Sequence, residues 1–231
     1  MIYSVKRMGE PERRIQMIRY EEYIKRVASD FTDNSIIPPG DFPDMALYSD
    51  QVVSFINSEL SQYGQSGGEV LTKTMLSNYV KNELIPPPVK KKYDKEQMVM
   101  LEVILCLKNA FKMDDIKTLM KPFVESRKSS FDEEIDFNEI YEKMQPIYAQ
   151  KRKEAAEELI KDIDLVKNAV RDTGLNDDDM TEMFLYIMII AMKIDTEKFI
   201  GKTLIREYYG SDEKKKKSKT KDKVKKDKVK E

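Results

Sequence analysis

A chain of 231 residues, 40% hydrophobic and 36% charged, has enough apolar content for one large or two small domains under an unusually charged surface. Histidine and tryptophan are absent and there is one cysteine. That excludes Ser-His-Asp and Cys-His nucleophile arrangements, His-containing zinc sites and an intramolecular disulfide framework, and it fits a reducing cytoplasm. The net charge of −1 hides an asymmetry: residues 211–231 hold eleven lysines against five acids, a net of +6, which leaves −7 for the body.

Residues Met1 to Pro11 lack the apolar stretch of a signal peptide. Arg13 to Ser29 predicts a helix, because Ile15, Ile18, Tyr20, Tyr23, Ile24 and Val27 recur at three- and four-residue steps. Asp30 to Asp44, with Pro38-Pro39-Gly40 and Pro43, predicts a loop whose Phe31, Ile36, Ile37 and Phe42 pack onto something. Ser49 or Asp50 can cap a helix with Val52, Val53, Phe55, Ile56 and Leu60 on its apolar face. Gln62 to Glu69, with Gly64 and Gly67-Gly68, predicts a flexible connection. Thr72 then caps a short helix ending near Glu83, and Pro86 to Pro88 and Lys90 to Lys92 follow.

Asp94 with Gln97 forms a capping-box signature for a helix that is apolar almost all round and therefore buried. Asp114 is the expected cap of the next helix, with Ile116, Leu119 and Met120 inward and Pro122 near its end. Lys128 to Glu134 marks a boundary. A long helix follows from near Asp136 to Thr173-Gly174, with Pro146 kinking it or starting a new segment. Its apolar stripe is narrow: Ala155, Leu159, Ile163, Val166 and Val170. Asn176 is the expected cap of a helix containing the longest apolar run, Met183 to Met192. That run is half of what a bilayer requires, so it predicts a core or an oligomer interface in a soluble, cytoplasmic protein without a membrane partner. A last helix, Thr196 to Tyr209, puts Phe199, Ile200, Leu204 and Tyr208 on one side. No strand pattern and no repeat is visible. The lysine-rich end is low-complexity and expected to be disordered, as a polyanion-binding arm or a solubilising tail.

The sequence Thr72 to Glu83, TKTMLSNYVKNE, carries the functional signal. At about 100° per residue, Met75, Leu76, Tyr79 and Val80 group on one side, and Lys73, Thr74, Ser77, Asn78, Lys81 and Asn82 on the other. The polar side has no acid although the body is acidic. Lysine contacts phosphate; threonine, serine and asparagine bond phosphates or base edges, and asparagine suits adenine in a major groove. Such a face fits a recognition helix, and Lys90, Lys91 and Lys92 would grip the backbone beside it. The plainer reading is a solvated amphipathic helix and a solvated lysine loop.

The order of parts resembles the winged helix-turn-helix of the MerR family of regulators. Leu76, Tyr79, Leu84, Ile85, Pro86, Tyr93, Leu101, Ile116 and Leu119 fall where that pattern places them, over about a third of the chain. Ser77, Asn78 and Glu83 stand where it has arginine, an aromatic and glycine, and the wing is short and without glycine. Leu47 to Val52, Leu71 to Lys81 and Pro87 to Tyr93 resemble, over more of the chain, the bacterial family DUF1836, whose activity is not established. The resemblances imply an all-α protein with four parts: an N-terminal helix and packing loop over 1–44, a MerR-like helix-turn-helix domain with a shortened wing over 45–127, a C-terminal helical region over 128–210 for core or dimerisation, and a disordered basic tail over 211–231. The expected function is a DNA-binding transcriptional regulator that binds double-stranded DNA as a homodimer. The alternative is a protein-interaction module that kept the fold and lost DNA.

No other site carries chemistry. Cys106 is expected to be buried and structural. Asp177 to Asp179 are first-turn charges rather than metal ligands. The acids Asp132, Glu133, Glu134 and Asp136 lack the alternation of a calcium loop. Gly67-Gly68 lacks the lysine-serine partner of a phosphate loop. Neither a cofactor nor a metal is expected, and with no base–nucleophile pair in view the chain is not expected to be an enzyme.

Overall fold

The structure, a computed structural model, describes residues 20–30, 36–61, 69–127, 136–173 and 179–210. Expectations for Ile15, Ile18, Phe31, the 62–68 connection, the 128–135 boundary, the Asn176 cap and the lysine-rich end lie outside these residues. The fold is all-α. Its helices are α1 (Tyr20–Asp30), α2 (Ser49–Glu59), α3 (Lys73–Lys81), α4 (Lys95–Leu107), α5 (Met113–Ser126), α6 (Phe137–Thr173) and α7 (Asp179–Leu204), which ends in a π-helical turn, Ile205–Tyr209. Two short strands, β1 (Leu47–Tyr48) and β2 (Lys92–Tyr93), pair antiparallel with Leu47 opposite Tyr93 and Tyr48 opposite Lys92. They correct the expectation of no strands: two residues are too few to show a period-2 pattern, and only pairing reveals them.

Contacts divide the described residues into two compact units, one from Met1–Asp33 and Gln150–Ala191, the other from Asn34–Ala149 and Met192–Glu231. In the first, Tyr20 and Ile24 of α1 pack with Ile163, Val166 and Val170 of α6 and Tyr186 of α7. Lys167 pairs with Glu21, and the Tyr186 hydroxyl donates to the Leu159 carbonyl at 2.6 Å. The buried face of α1 is the i, i+4, i+8 row Tyr20, Ile24 and Ala28; Tyr23 and Val27, expected inward, are exposed. One row at this spacing suffices to seat a helix of this length.

In the second unit α4 is the central helix, with Met98, Val99, Met100, Leu101, Ile104 and Leu105 all buried. Around it pack α2, α3, α5, the first turns of α6, and the loop carrying Ile37 and Phe42. The Asp94–Gln97 capping box forms as the sequence predicts: the Asp94 carboxylate accepts the Gln97 amide and the Gln97 side chain accepts the Asp94 amide, both at 2.9 Å. Gln97 also donates its side-chain amide to the carbonyls of Pro86 and Pro87, at 2.9 and 3.1 Å, which fixes the proline run.

Two predicted caps move. The N-cap of α2 is Tyr48, whose amide donates to the Gln51 side chain at 2.9 Å, while Ser49 and Asp50 lie inside the first turn. The N-cap of α5 is Lys112, which puts Asp114 and Asp115 in the first turn, where their charge favours the positive end of the helix. α6 runs through Pro146, so no new segment starts there, and α7 runs from Asp179 to Leu204 as one helix where two were expected. Phe199, Ile200, Leu204 and Tyr208, expected on one side of the helix, are exposed; the inward contacts near this end are Ile205 and Gly201. A Cβ at Gly201 would come within 2.6 Å of the Phe111 ring, so a larger residue there would require that ring to shift. Cys106, expected to be buried, is exposed. Its thiol is nonetheless desolvated and lies near the Glu102 carboxylate, which together raise its pKa to about 11, so it stays protonated and unreactive at neutral pH.

Helix α3 ends in a Schellman motif: the Leu84 amide donates to the Tyr79 carbonyl at 2.9 Å and the Glu83 amide to that of Val80 at 3.0 Å. This requires Glu83 at φ 58°, a left-handed backbone that disfavours side chains. Its ion pair with Lys117, at 3.4 Å between exposed groups, returns little. Glu83→Gly is therefore expected to stabilise the fold by about 1 kcal/mol, read as a raised urea midpoint at unchanged slope.

Candidate nucleic-acid interface

The candidate interface is built on α2. Val52, Val53, Ile56 and Leu60 face the core, together with Leu76 and Tyr79 of α3. Asn57 fixes the approach to α3: its side-chain amide donates to the Leu71 carbonyl at 2.8 Å and its oxygen accepts the Leu71 amide at 2.9 Å. Thr72 then caps α3 by accepting the Met75 amide at 3.1 Å, as predicted. With Leu76 and Tyr79 turned inward, the remaining side of α3 must face water. Lys73, Thr74, Ser77, Asn78, Lys81 and Asn82 are all exposed. The acid-free polar face read from the sequence is thus a real surface.

The lysine run is a tight hairpin. The Val89 amide donates to the Lys92 carbonyl at 3.0 Å and the Lys92 amide to the Val89 carbonyl at 2.9 Å, which leaves Lys90 and Lys91 as a two-residue loop. Both sit in left-handed backbone, with φ of 50° and 65°. This is the geometry that Asn-Gly fills in most two-residue hairpins, because its twist matches that of the strands. Two lysines hold it here at a cost of roughly 1 kcal/mol each, and both are exposed at the tip.

The two basic features converge on the start of α2. Lys73 Nζ pairs with Asp50 at 2.7 Å, and Lys92 Nζ lies 4.9 Å from the centre of the Tyr48 ring. Tyr48 and Asp50 are two residues apart, a separation of at most about 8 Å between their Cα atoms. The Lys73 hydrogen bond, with its charge, holds the Asp50 carboxyl below its usual range. The roles of the predicted lysines therefore differ. Lys81, Lys90 and Lys91 are presented outward, whereas Lys73 is bound to an acid and Lys92 lies against an aromatic face. Tyr48 and Asp50 are the partners that sequence reasoning missed. Their residue types carry no signal for this, since the pairing exists only once β1 lies beside β2 and α3 beside α2.

An open cleft of about 430 Å³ between the end of α3 and α5 is lined by Glu83, Asp114, Lys117, Thr118, Lys121 and Glu125 among others, charges of mixed sign. Among the described residues no group of three or more histidine, cysteine, aspartate or glutamate side chains could hold a metal ion. No described helix is long and apolar enough to cross a membrane.

Fold and surface define a small all-helical domain that presents a short polar helix beside a basic hairpin. Residues 37–144 match the model of the family described as Domain of unknown function (DUF1836), a span of 108 of the 231 residues. The match supports reading this segment as a domain of that family. No curated protein and no solved structure matches the chain.

Proposed function

We propose that the protein is a DNA-binding transcriptional regulator of the MerR-like type, with α3 as the recognition helix and the Val89–Lys92 hairpin as a shortened wing. One observation carries this reading: the acid-free outer face of α3 and the strained lysine hairpin meet at the start of α2. On duplex DNA, Thr74, Ser77, Asn78 and Lys81 face the groove, and Lys90 and Lys91 hold phosphates. Lys73 exchanges Asp50 for phosphate or stays as a positioning pair. Strain kept at an exposed tip supports a functional use of those lysines, since Asn-Gly would fold better. A competing reading, a protein-interaction module, draws on the Asp50–Lys73 pair, which neutralises one cation of the face.

The two readings separate in one double substitution. Lys90→Asn with Lys91→Gly relieves the hairpin and removes two charges. It is expected to raise folding stability by about 1–2 kcal/mol and to lower the magnitude of the salt dependence of duplex DNA binding by about 2 in log–log slope. The measurement is fluorescence anisotropy with genomic fragments across a salt series. The lysines of 211–231 are replaced by serine in both proteins so that only the domain is read. A stabilised variant with unchanged DNA affinity removes the wing from the interface, and no binding by either protein at low salt ends the regulator reading.

A further inference from the structure

Within the first unit, α7 has two unlike sides. Tyr186 with Met183, Leu185, Ile189 and Ile190 packs toward α1 and α6. The opposite side carries Met180, Phe184, Ile187 and Met188, exposed by 82, 63, 56 and 44% respectively, followed by exposed Ala191. A helix apolar on both sides belongs in an interior, yet half of this one faces water. Monomeric proteins rarely leave an apolar patch of more than a few hundred Å² uncovered.

The spacing says what covers it. Met180, Phe184, Ile187 and Ala191 follow steps of four, three and four residues, the seam of a helix that pairs with another helix. No acid or base lies on this side between Met180 and Ala191, and the flanking positions Thr181 and Met188 are uncharged. Pairing with a different chain is usually specified by charges beside the seam, and none is present. An uncharged seam is complementary to itself under a two-fold axis. Four large side chains at these exposures, with Ala191 allowing close approach, supply several hundred Å² of apolar area, a large part of one partner's ~800 Å² share of a standard interface.

We infer that this face of α7 is a homodimer interface in which the seam Met180–Phe184–Ile187–Ala191 packs against the same seam of a second copy. The inference names the contact that a two-half-site DNA reader needs, but it rests on the helix face alone and stands if DNA binding fails.

Sedimentation equilibrium of the full chain tests it, at concentrations up to about 100 μM, where association tighter than ~10 μM is well populated. The wild type is expected to be a dimer. Phe184→Glu with Ile187→Glu is expected to raise the dimer dissociation constant by on the order of 100-fold or more, with the helical circular dichroism unchanged because both residues are exposed. Ile187→Cys in a Cys106→Ser background provides a second readout that keeps the native seam: mild oxidation is expected to yield a disulfide-linked dimer, since this residue sits near the middle of the face. A wild type that remains monomeric, with the face covered by its own chain or kept for another protein, overturns the inference. So does a dimer that survives the double substitution and gives no crosslink.

Discussion

Raising the pH from about 5 to about 8.5 is expected to cost the wild-type protein on the order of 3 kcal/mol of folding stability, and Glu102→Gln is expected to remove most of that loss. Glu102 lies on the buried central helix and is wholly inaccessible to solvent. Its carboxyl accepts the Ile37 amide at 2.6 Å and meets the Tyr141 hydroxyl at 2.7 Å, while the same hydroxyl lies 2.7 Å from the Ile37 carbonyl. A tyrosine has one proton to give. All three contacts are satisfied together only if Glu102 is protonated, donates to the Tyr141 oxygen, and lets Tyr141 donate to Ile37.

Burial moves the Glu102 pKa the same way, from 4.5 to about 7, against the lowering effect of the Tyr141 and Ile37 hydrogen bonds. The folded state therefore holds this proton over a range where the unfolded chain has released it. Stability from this group is complete below about 4.5 and is lost as pH rises through 7, opposite in sense to ordinary acid denaturation. Cys106 and Tyr141 are the titratable neighbours, and burial raises both well above this range, so they remain neutral. Glu96, half a helix away and also raised mainly by burial, adds a smaller change of the same sign, which the comparison with Glu102→Gln cancels. Glutamine reproduces the neutral acid, accepting from Ile37 and donating to Tyr141. Urea unfolding at both pH values measures the effect. A wild-type-minus-variant difference that does not change with pH would show that Glu102 does not titrate in this range.

Asp94→Ala is expected to cost about 2 kcal/mol at neutral pH, roughly half from the lost N-cap and half from the ion pair. Asp94 closes the capping box of the helix on which the whole second unit is built. Its carboxylate also pairs with Arg127 at 2.7 Å, and Arg127 in turn pairs with Glu96 at 3.0 Å. Glu96 accepts the Phe137 amide at 3.2 Å, so the network ties the start of α4 to the end of α5 and the start of α6. The groups are partly exposed, so the ion-pair share is discounted for solvent. Asp94→Asn keeps the cap and loses the charge, and is expected to cost about half as much. If alanine and asparagine are equally damaging in thermal unfolding, the cap contributes nothing and the ion pair carries the effect.

Local signals were legible along the chain and relational ones were not. Thr72 and the Asp94–Gln97 box were readable because a cap involves residues three apart, within one turn of helix. The two-faced character of α3 was readable for the same reason, since its period is a property of the helix alone. The inward residues Val52, Val53, Ile56, Leu60, Leu76 and Tyr79 followed from helical periodicity. Tyr48 was not readable as a cap, nor Lys112, because neither side chain is a capping type and the helix start is set by what the preceding residues pair with. Glu102 gave no sign of its role, since a glutamate among apolar residues looks like a surface position until Ile37, 65 residues earlier, and Tyr141, 39 later, close around it.

The candidate interface on α2 shows the same division. Composition and period were enough to determine that α3 carries lysine, threonine, serine and asparagine on one acid-free side, and that Lys90 to Lys92 lie in a stiff basic loop. That follows from covalent order and helix geometry, which need no tertiary contact. Only the folded structure decided that the loop is a two-residue hairpin with lysines in left-handed backbone, and that Lys73 ends on Asp50 and Lys92 on Tyr48. Those outcomes depend on strand pairing and on helix docking between segments tens of residues apart, and the energies that select them belong to the pairing of surfaces rather than to any residue's own preference.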